Sequence, residues 1–153
     1  MEVLGVILFA VIVYSICVIY HGPWFKVNEK EKEQIRERGL IHFTNPKHAQ
    51  AIINGGLEGQ LADMKGPELL LGELVWTYSY EGEESVERAY HILQKKKRAQ
   101  KDPQRYKCCL KLTGFSETDM QHFYKRIGFS GDKAIVYRGK ILEPEKIIVL
   151  KEW

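Results

Sequence analysis

An uninterrupted apolar run near the N-terminus constrains this chain more than any other feature. Residues 3–20 read VLGVILFAVIVYSICVIY, without a charged residue or a proline. As a helix, a run of this length would be about 27 Å long, which is enough to cross a thin hydrocarbon core. A buried core helix is disfavoured because the run has no polar face. We therefore predict a transmembrane helix that contacts membrane lipid through residues 3–20.

The flanks of this run decide between a retained anchor and a cleaved signal peptide. A signal peptide needs a basic start and a small-residue cleavage site. This N-terminus carries Glu2 without Lys or Arg, and the run ends in the bulky residues 19–25. Basic side chains follow the run: Lys26, Lys30, Lys32, Arg36 and Arg38. Because such residues stay on the cytoplasmic side, we predict a single-pass protein of the cell membrane with a cytoplasmic C-terminal domain.

The remaining sequence predicts one small domain. Residues 1–25 are the predicted anchor, residues 26–39 a charged helical stalk, and residues 40–153 a cytoplasmic α+β domain. Alternation and turn signals predict strands over residues 40–44, 73–80, 106–112, 134–137 and 147–151. Apolar spacing and capping residues predict helices over residues 29–38, 46–54, 83–99 and 116–125, with a loop over residues 57–72. This order predicts a mixed, mostly antiparallel, split sheet.

The cysteines and histidines give no sign of a disulfide or a metal. Cys108 and Cys109 are adjacent in a predicted strand, so their side chains point to opposite faces. A vicinal disulfide would be strained, so we expect reduced thiols that fill core or strand positions. The five histidines lack metal-like spacing, and we expect no metal. Phosphate-loop, GxSxG, HExxH and paired CxxC motifs are absent.

One basic cluster stands out, and it has three interpretations. Residues 95–98 read KKKR, followed by Lys101 and Arg105. The cluster suits a solvated helix end, because cations are favourable near the negative end of the helix dipole. It also suits anionic lipid head groups, which would make the protein a regulator at the membrane surface. Nucleic acid is the third interpretation, and the lack of interleaved aromatic residues argues against it.

Residues 40–59, LIHFTNPKHAQAIINGGLEG, form the most distinctive segment. A histidine near the end of a strand, two residues before a threonine, can form hydrogen bonds to the ribose hydroxyls of a ligand that lies over the sheet. The alternative is a structural histidine, satisfied within the strand beside a turn.

This segment resembles the opening of ADP-ribosyltransferase-like domains, including the DNA-targeting ADP-ribosyltransferase toxins and the RNA 2′-phosphotransferase group. His42, Phe43 and Thr44 match the first-strand element of that fold, and residues 55–57 match its Gly-Leu turn. Residues 75–80, VWTYSY, look like the second strand, which supplies an aromatic residue to the nicotinamide pocket. Residues 134–147 look like the late strand, the glycine turn and the proline-containing return.

The resemblance implies an NAD site and a set of residues for it. It gives His42, Tyr78 and Arg138 catalytic roles, and it makes His42, Phe43, Thr44 and Tyr80 cofactor-binding residues. His42 and Thr44 would hold ribose, Tyr78 or Tyr80 would stack on the base, and Arg138 would meet a phosphate. Tyr78 and Tyr80 share one strand face with Trp76, so a hydrophobic core is the alternative interpretation of this aromatic stripe.

The chain departs from the family at one important position. Active members carry a glutamate on the late strand just before the turn, where this chain has Arg138. Because of this departure, the sequence does not decide whether the domain is an enzyme, and two hypotheses follow. The first is a membrane-anchored, cytoplasmic ADP-ribosyltransferase-like domain that binds NAD or a nucleotide in defence, toxin–immunity or phage–host conflict. The second is a catalytically inactive, membrane-tethered module that binds a protein partner.

Overall fold

The computed structural model describes residues 2–21, 24–59, 73–126 and 134–153, with side chains for residues 3–15, 25–59, 73–125 and 134–153. Its helices are α1 (Glu2–His21), α2 (Glu29–Arg38), α3 (Pro46–Gly55), α4 (Glu83–Gln94), α5 (Lys97–Lys101) and α6 (Glu117–Met120). Its strands are β1 (Trp24–Lys26), β2 (Leu40–Thr44), β3 (Leu57–Glu58), β4 (Leu74–Ser79), β5 (Cys108–Thr113), β6 (Phe123–Arg126), β7 (Ala134–Arg138), β8 (Ile141–Leu142) and β9 (Lys146–Glu152).

The N-terminal helix corrects the first prediction. Among the residues that the structure describes, no helix combines the length and the apolar character that a membrane crossing requires. The predicted transmembrane helix, and with it the single-pass location in the cell membrane, is therefore wrong on this finding. These side chains are exposed, and none of them joins the hydrophobic core.

The fold is α+β with an antiparallel sheet, which confirms that part of the predicted fold class. Seven strands follow the order β1-β6-β7-β4-β2-β5-β9, and each neighbouring pair is antiparallel. Strands β3 and β8 form a separate two-stranded sheet. Residues 57–58 were predicted to lie in a loop and instead form β3, while residues 60–72 of that predicted loop lie outside the described residues.

The pairing between β2 and β4 is short, and this positions the site. β2 pairs with β5 along all five of its residues but with β4 only at Leu40↔Ser79 and Ile41↔Tyr78. Beyond these two pairs the two central strands diverge, and the imidazole of His42 reaches across to the backbone of β4. The sheet is therefore open between its central strands at the end that carries His42.

Two core clusters cover the two faces of the sheet. The first core cluster includes Leu40, Leu57, Cys108, Leu110, Leu112, Phe123 and Tyr137. The second core cluster includes Ile41, Phe43, Tyr78, Cys109 and Val136, together with the α4 residues Val86, Ala89, Tyr90 and Leu93. The apolar stripe predicted on α4 is therefore buried as expected. The adjacent thiols are unbonded and lie in different clusters, as the strand geometry requires.

Two predicted helices are shorter than expected. The helix predicted over residues 83–99 ends at Gln94 and resumes as α5, and the interruption falls within the run of four cations. The helix predicted over residues 116–125 ends at Met120, and its last part forms β6 instead. The burial of Phe123 accounts for the second difference: as part of β6 it pairs with Tyr137 of β7, and its ring is fully buried in the first core cluster.

The buried thiols lead to a prediction about chemical labelling. Burial raises the pKa of Cys108 from the ordinary value of 9.0 to about 11, and that of Cys109 to about 12. Because the thiolate is the reactive form, we expect neither residue to be alkylated by iodoacetamide at pH 8 in the folded protein. In concentrated urea both should react, as peptide mass mapping can show. Complete labelling of either residue in the folded protein would contradict this burial.

Candidate functional site

A cavity of about 850 Å³ opens where β2 and β4 diverge, and we call it the cleft. β2 and the segment after it contribute His42, Phe43, Thr44 and Asn45, and β4 contributes Leu74, Val75, Trp76 and Tyr78. α3 and β3 contribute His48, Ala51, Ile52, Gly55, Leu57 and Glu58. The segment around α5 contributes Lys96, Lys97, Arg98, Asp102, Arg105 and Tyr106, which we call the basic side.

His42 lines the cleft, and a hydrogen bond to the backbone holds its imidazole in one tautomer. Its Nδ1 lies 2.8 Å from the backbone carbonyl oxygen of Trp76. A carbonyl oxygen only accepts, so Nδ1 carries the proton and Nε2 is left as a hydrogen-bond acceptor. Burial lowers the pKa of His42, because it disfavours the charged imidazolium, and the bond to Trp76 opposes this only in part. A neutral imidazole in this tautomer can accept a hydrogen bond from a ligand hydroxyl.

The residues next to His42 on β2 give the cleft both a polar and an aromatic lining. Thr44 is 8% exposed and adds a hydroxyl that both donates and accepts. The ring of Phe43 packs edge-on against Tyr78, with centroids 6.0 Å apart. Both aromatic residues belong to the second core cluster and also line the cleft. The core and pocket interpretations of Tyr78 are therefore compatible.

Tyr80 and Arg138 do not line the cleft, unlike His42, Phe43, Thr44 and Tyr78. Tyr80 follows the end of β4 at which the pairing with β2 closes the sheet, and the Nζ atom of Lys111 lies 4.0 Å from its ring centroid. Arg138 is exposed at the end of β7, where its backbone N–H donates to the carbonyl oxygen of His122. The spacing of aromatic residues along one strand could not show at which end the sheet opens.

The sequence revealed the basic cluster but did not show that it lies at the same cavity as His42. A turn after α5 brings Arg105 to the same cavity as Lys96, Lys97 and Arg98. In this turn the carboxylate of Asp102 accepts from the backbone N–H of Gln104, and the carbonyl of Asp102 accepts from that of Arg105. Four cations and one acid therefore line the basic side, which favours an anionic ligand. In the sequence, the Asp-Pro pair at residues 102–103 was the available indication of this turn.

Glu58 is a cleft residue that no sequence motif singled out. It lies on β3, directly after the Gly-Leu turn, and it lines the cleft together with His42. No cluster of three or more His, Cys, Asp or Glu side chains suited to a metal ion occurs within the described ranges. The cleft lining combines two acids, Glu58 and Asp102, with apolar side chains, the neutral imidazole of His42 and four cations.

Comparison of the chain with protein-family models, with curated proteins and with solved structures finds no match. The part of the chain that the structure describes is an α+β domain with a mostly antiparallel sheet, opened between β2 and β4.

Proposed function

We propose that this domain is ADP-ribosyltransferase-like and binds NAD or a related nucleotide in the cleft. The observation that carries the proposal is the divergence of β2 and β4, which places a neutral His42 and the hydroxyl of Thr44 in a cavity of about 850 Å³. This volume lies within the range of pockets for small molecules and cofactors. The polar groups on β2, the aromatic residues at the cleft and the basic side fit the three parts of a nucleotide, which are the ribose, the base and the phosphates.

Ribose is the part that fits His42 and Thr44. Sugar hydroxyls donate and accept, and the Nε2 atom of His42 supplies an acceptor because its Nδ1 is engaged by Trp76. Thr44 lies two residues further along β2, so it shares a face of the strand with His42. The two side chains can therefore hold neighbouring hydroxyls of one sugar.

The aromatic residues at the cleft suit a flat heterocyclic base. Phe43 and Tyr78 brace each other edge-on, so their rings are fixed before a ligand arrives. Trp76 and Tyr106 line the same cavity and pack against the second core cluster. A rigid aromatic surface binds a planar ring at a low cost in side-chain entropy.

The phosphates suit the basic side, which takes over the role expected of Arg138. Lys96, Lys97, Arg98 and Arg105 line the cleft, and hydrogen bonds from such cations to phosphate oxygens are stronger than those between neutral groups. Lys96, Arg98 and Arg105 also interact with other groups of the protein, so a phosphate would join an existing network. A ligand with a charged pyrophosphate and an apolar end fits this arrangement better than a neutral metabolite does.

The succession of elements also supports the proposal. The chain runs from β2 through α3 and a glycine turn into β3, and from β4 into α4. Near the C-terminus, β7 is followed by a turn at Gly139, by β8, and by a return through Pro144 into β9. This is the order that the resemblance to ADP-ribosyltransferase-like domains leads us to expect.

Calorimetric titration of NAD into the full chain tests this proposal. We expect saturable binding that is weakened about 10- to 100-fold by His42→Ala, because one partner of a buried hydrogen bond with the ligand is lost. His91→Ala is the matched control, since His91 is exposed on α4 and does not line the cleft. It should bind NAD as the parent chain does. An absence of heat from the parent chain would reject the nucleotide site.

A further inference from the structure

One ring outside the cleft packs against the aromatic residues that line it. Trp153, directly after β9, stacks on Phe43 with ring centroids 6.1 Å apart and an angle of 29° between the ring planes. Phe43 lines the cleft, whereas Trp153 does not. Tyr78, which also lines the cleft, contacts Phe43 edge-on. The ring of Phe43 therefore has two aromatic neighbours, and one of them is out of reach of a ligand.

Trp153 is itself firmly positioned. Its ring lies parallel to that of Tyr90 on α4, with centroids 3.9 Å apart and 3° between the planes. Tyr90 is 8% exposed, and its hydroxyl accepts a hydrogen bond of 2.8 Å from the Nζ atom of Lys107. The Nζ atom of Lys151 lies 5.0 Å from the ring centroid of Trp153, within the range of a cation–π contact. A ring with these contacts is fixed well enough to restrain its neighbour.

The backbone of Trp153 is tied to the chain next to the basic side. Its N–H donates to the carbonyl oxygen of Lys107 at 2.9 Å. Lys107 directly follows Arg105 and Tyr106, which line the cleft. A substitution of the Trp153 side chain keeps this backbone group, so its effect on the cleft arises from the ring alone.

We propose that Trp153 is a positioning residue that holds the ring of Phe43 ready for the base of the nucleotide, an inference that rests on the proposed binding of NAD. Without the Trp153 ring, Phe43 keeps its edge-on contact with Tyr78 but gains freedom on the side that Trp153 covers. Binding must then restrict this freedom again, and the cost appears as lost affinity. Trp153 thus contributes to binding without touching the ligand.

The test compares Trp153→Leu with Trp153→Phe by calorimetric titration of NAD into the full chain. Leucine keeps apolar bulk but has no flat face, whereas phenylalanine keeps a flat ring that can stack on Phe43. We expect Trp153→Leu to weaken the binding of NAD about 5- to 10-fold, the effect of leaving one side chain to be ordered by the ligand. Trp153→Phe should change the dissociation constant less than about twofold, because the stacking is retained.

Phe115→Leu is the matched control for a general loss of core packing. Phe115 is half-buried, as Trp153 is, but it packs against the first core cluster and does not line the cleft. This variant should bind NAD as the parent chain does. Tyr90→Leu removes the ring on which Trp153 stacks and should also weaken the binding of NAD. It decides the question if Trp153→Leu does not fold.

The outcomes separate the failure of this inference from that of the proposed function. If the parent chain binds NAD and Trp153→Leu binds it equally well, Trp153 does not position Phe43. If Trp153→Phe or Phe115→Leu loses as much affinity as Trp153→Leu, the loss is not specific to the stacked ring and the inference is overturned. If the parent chain does not bind NAD, the proposed function fails and the inference fails with it.

Discussion

Replacing Phe123 by alanine should lower the free energy of unfolding by about 3–5 kcal/mol. The side chain is fully buried in the first core cluster, and its ring contacts those of Phe115 and Tyr137 edge-on, with centroids 5.2 and 5.5 Å away. Truncation removes apolar contact area and leaves a cavity that the surrounding sheet cannot close fully. Because small domains are stable by only about 5–15 kcal/mol, this one change removes a large part of the total.

Urea unfolding followed by circular dichroism measures this effect, and the chain offers a matched control. Phe25 has the same side chain in β1 but is 46% exposed. Phe25→Ala should cost less than about 1 kcal/mol, as most surface substitutions do. Equal losses for the two variants would mean that Phe123 does not occupy the closed core in which the structure places it.

Local signals in the sequence are sufficient for much of the fold. Asn28 and Glu31 form a capping box at the start of α2, and Gly39 ends that helix, so its bounds follow from residues within it or next to it. The apolar spacing of α4 likewise reflects the face that this helix buries. These features need no knowledge of which strand pairs with which.

The candidate site, in contrast, depends on which strands pair with each other, and local sequence patterns do not show this. Glu58 lies next to the end of β7 because β3 pairs with β8, which is more than eighty residues away along the chain. Arg105 joins Lys97 at the cleft because of a turn within residues 102–105, and Tyr80 misses the cleft because β2 and β4 pair at that end. Periodicity shows which face a residue takes, but only strand pairing shows where two strands separate. The resemblance could propose His42 as a candidate because its motif is local, and His42 does line the cleft.

Replacing Gly39 by alanine should lower the free energy of unfolding by about 2–5 kcal/mol. The backbone there has φ 81° and ψ −174°, a conformation that is essentially confined to glycine. A Cβ atom would also collide with the carbonyl oxygen of Leu112 and lie 2.7 Å from Cγ2 of Thr113. Both the backbone strain and the collision occur at the junction of α2 and β2. Neither can be relieved without moving β2, the strand that carries His42.

Gly55→Ala is the control that separates these causes from a general effect of adding a methyl group. Gly55 is the last residue of α3, and a Cβ atom there would meet nothing within 4 Å. Alanine at such a position limits the unfolded chain more than the folded one, so the stability should stay unchanged or rise by up to about 1 kcal/mol. Urea unfolding of both variants gives the comparison. If Gly39→Ala were as stable as Gly55→Ala, the chain could not turn between α2 and β2 as described, and β2 would not present His42 to the cleft.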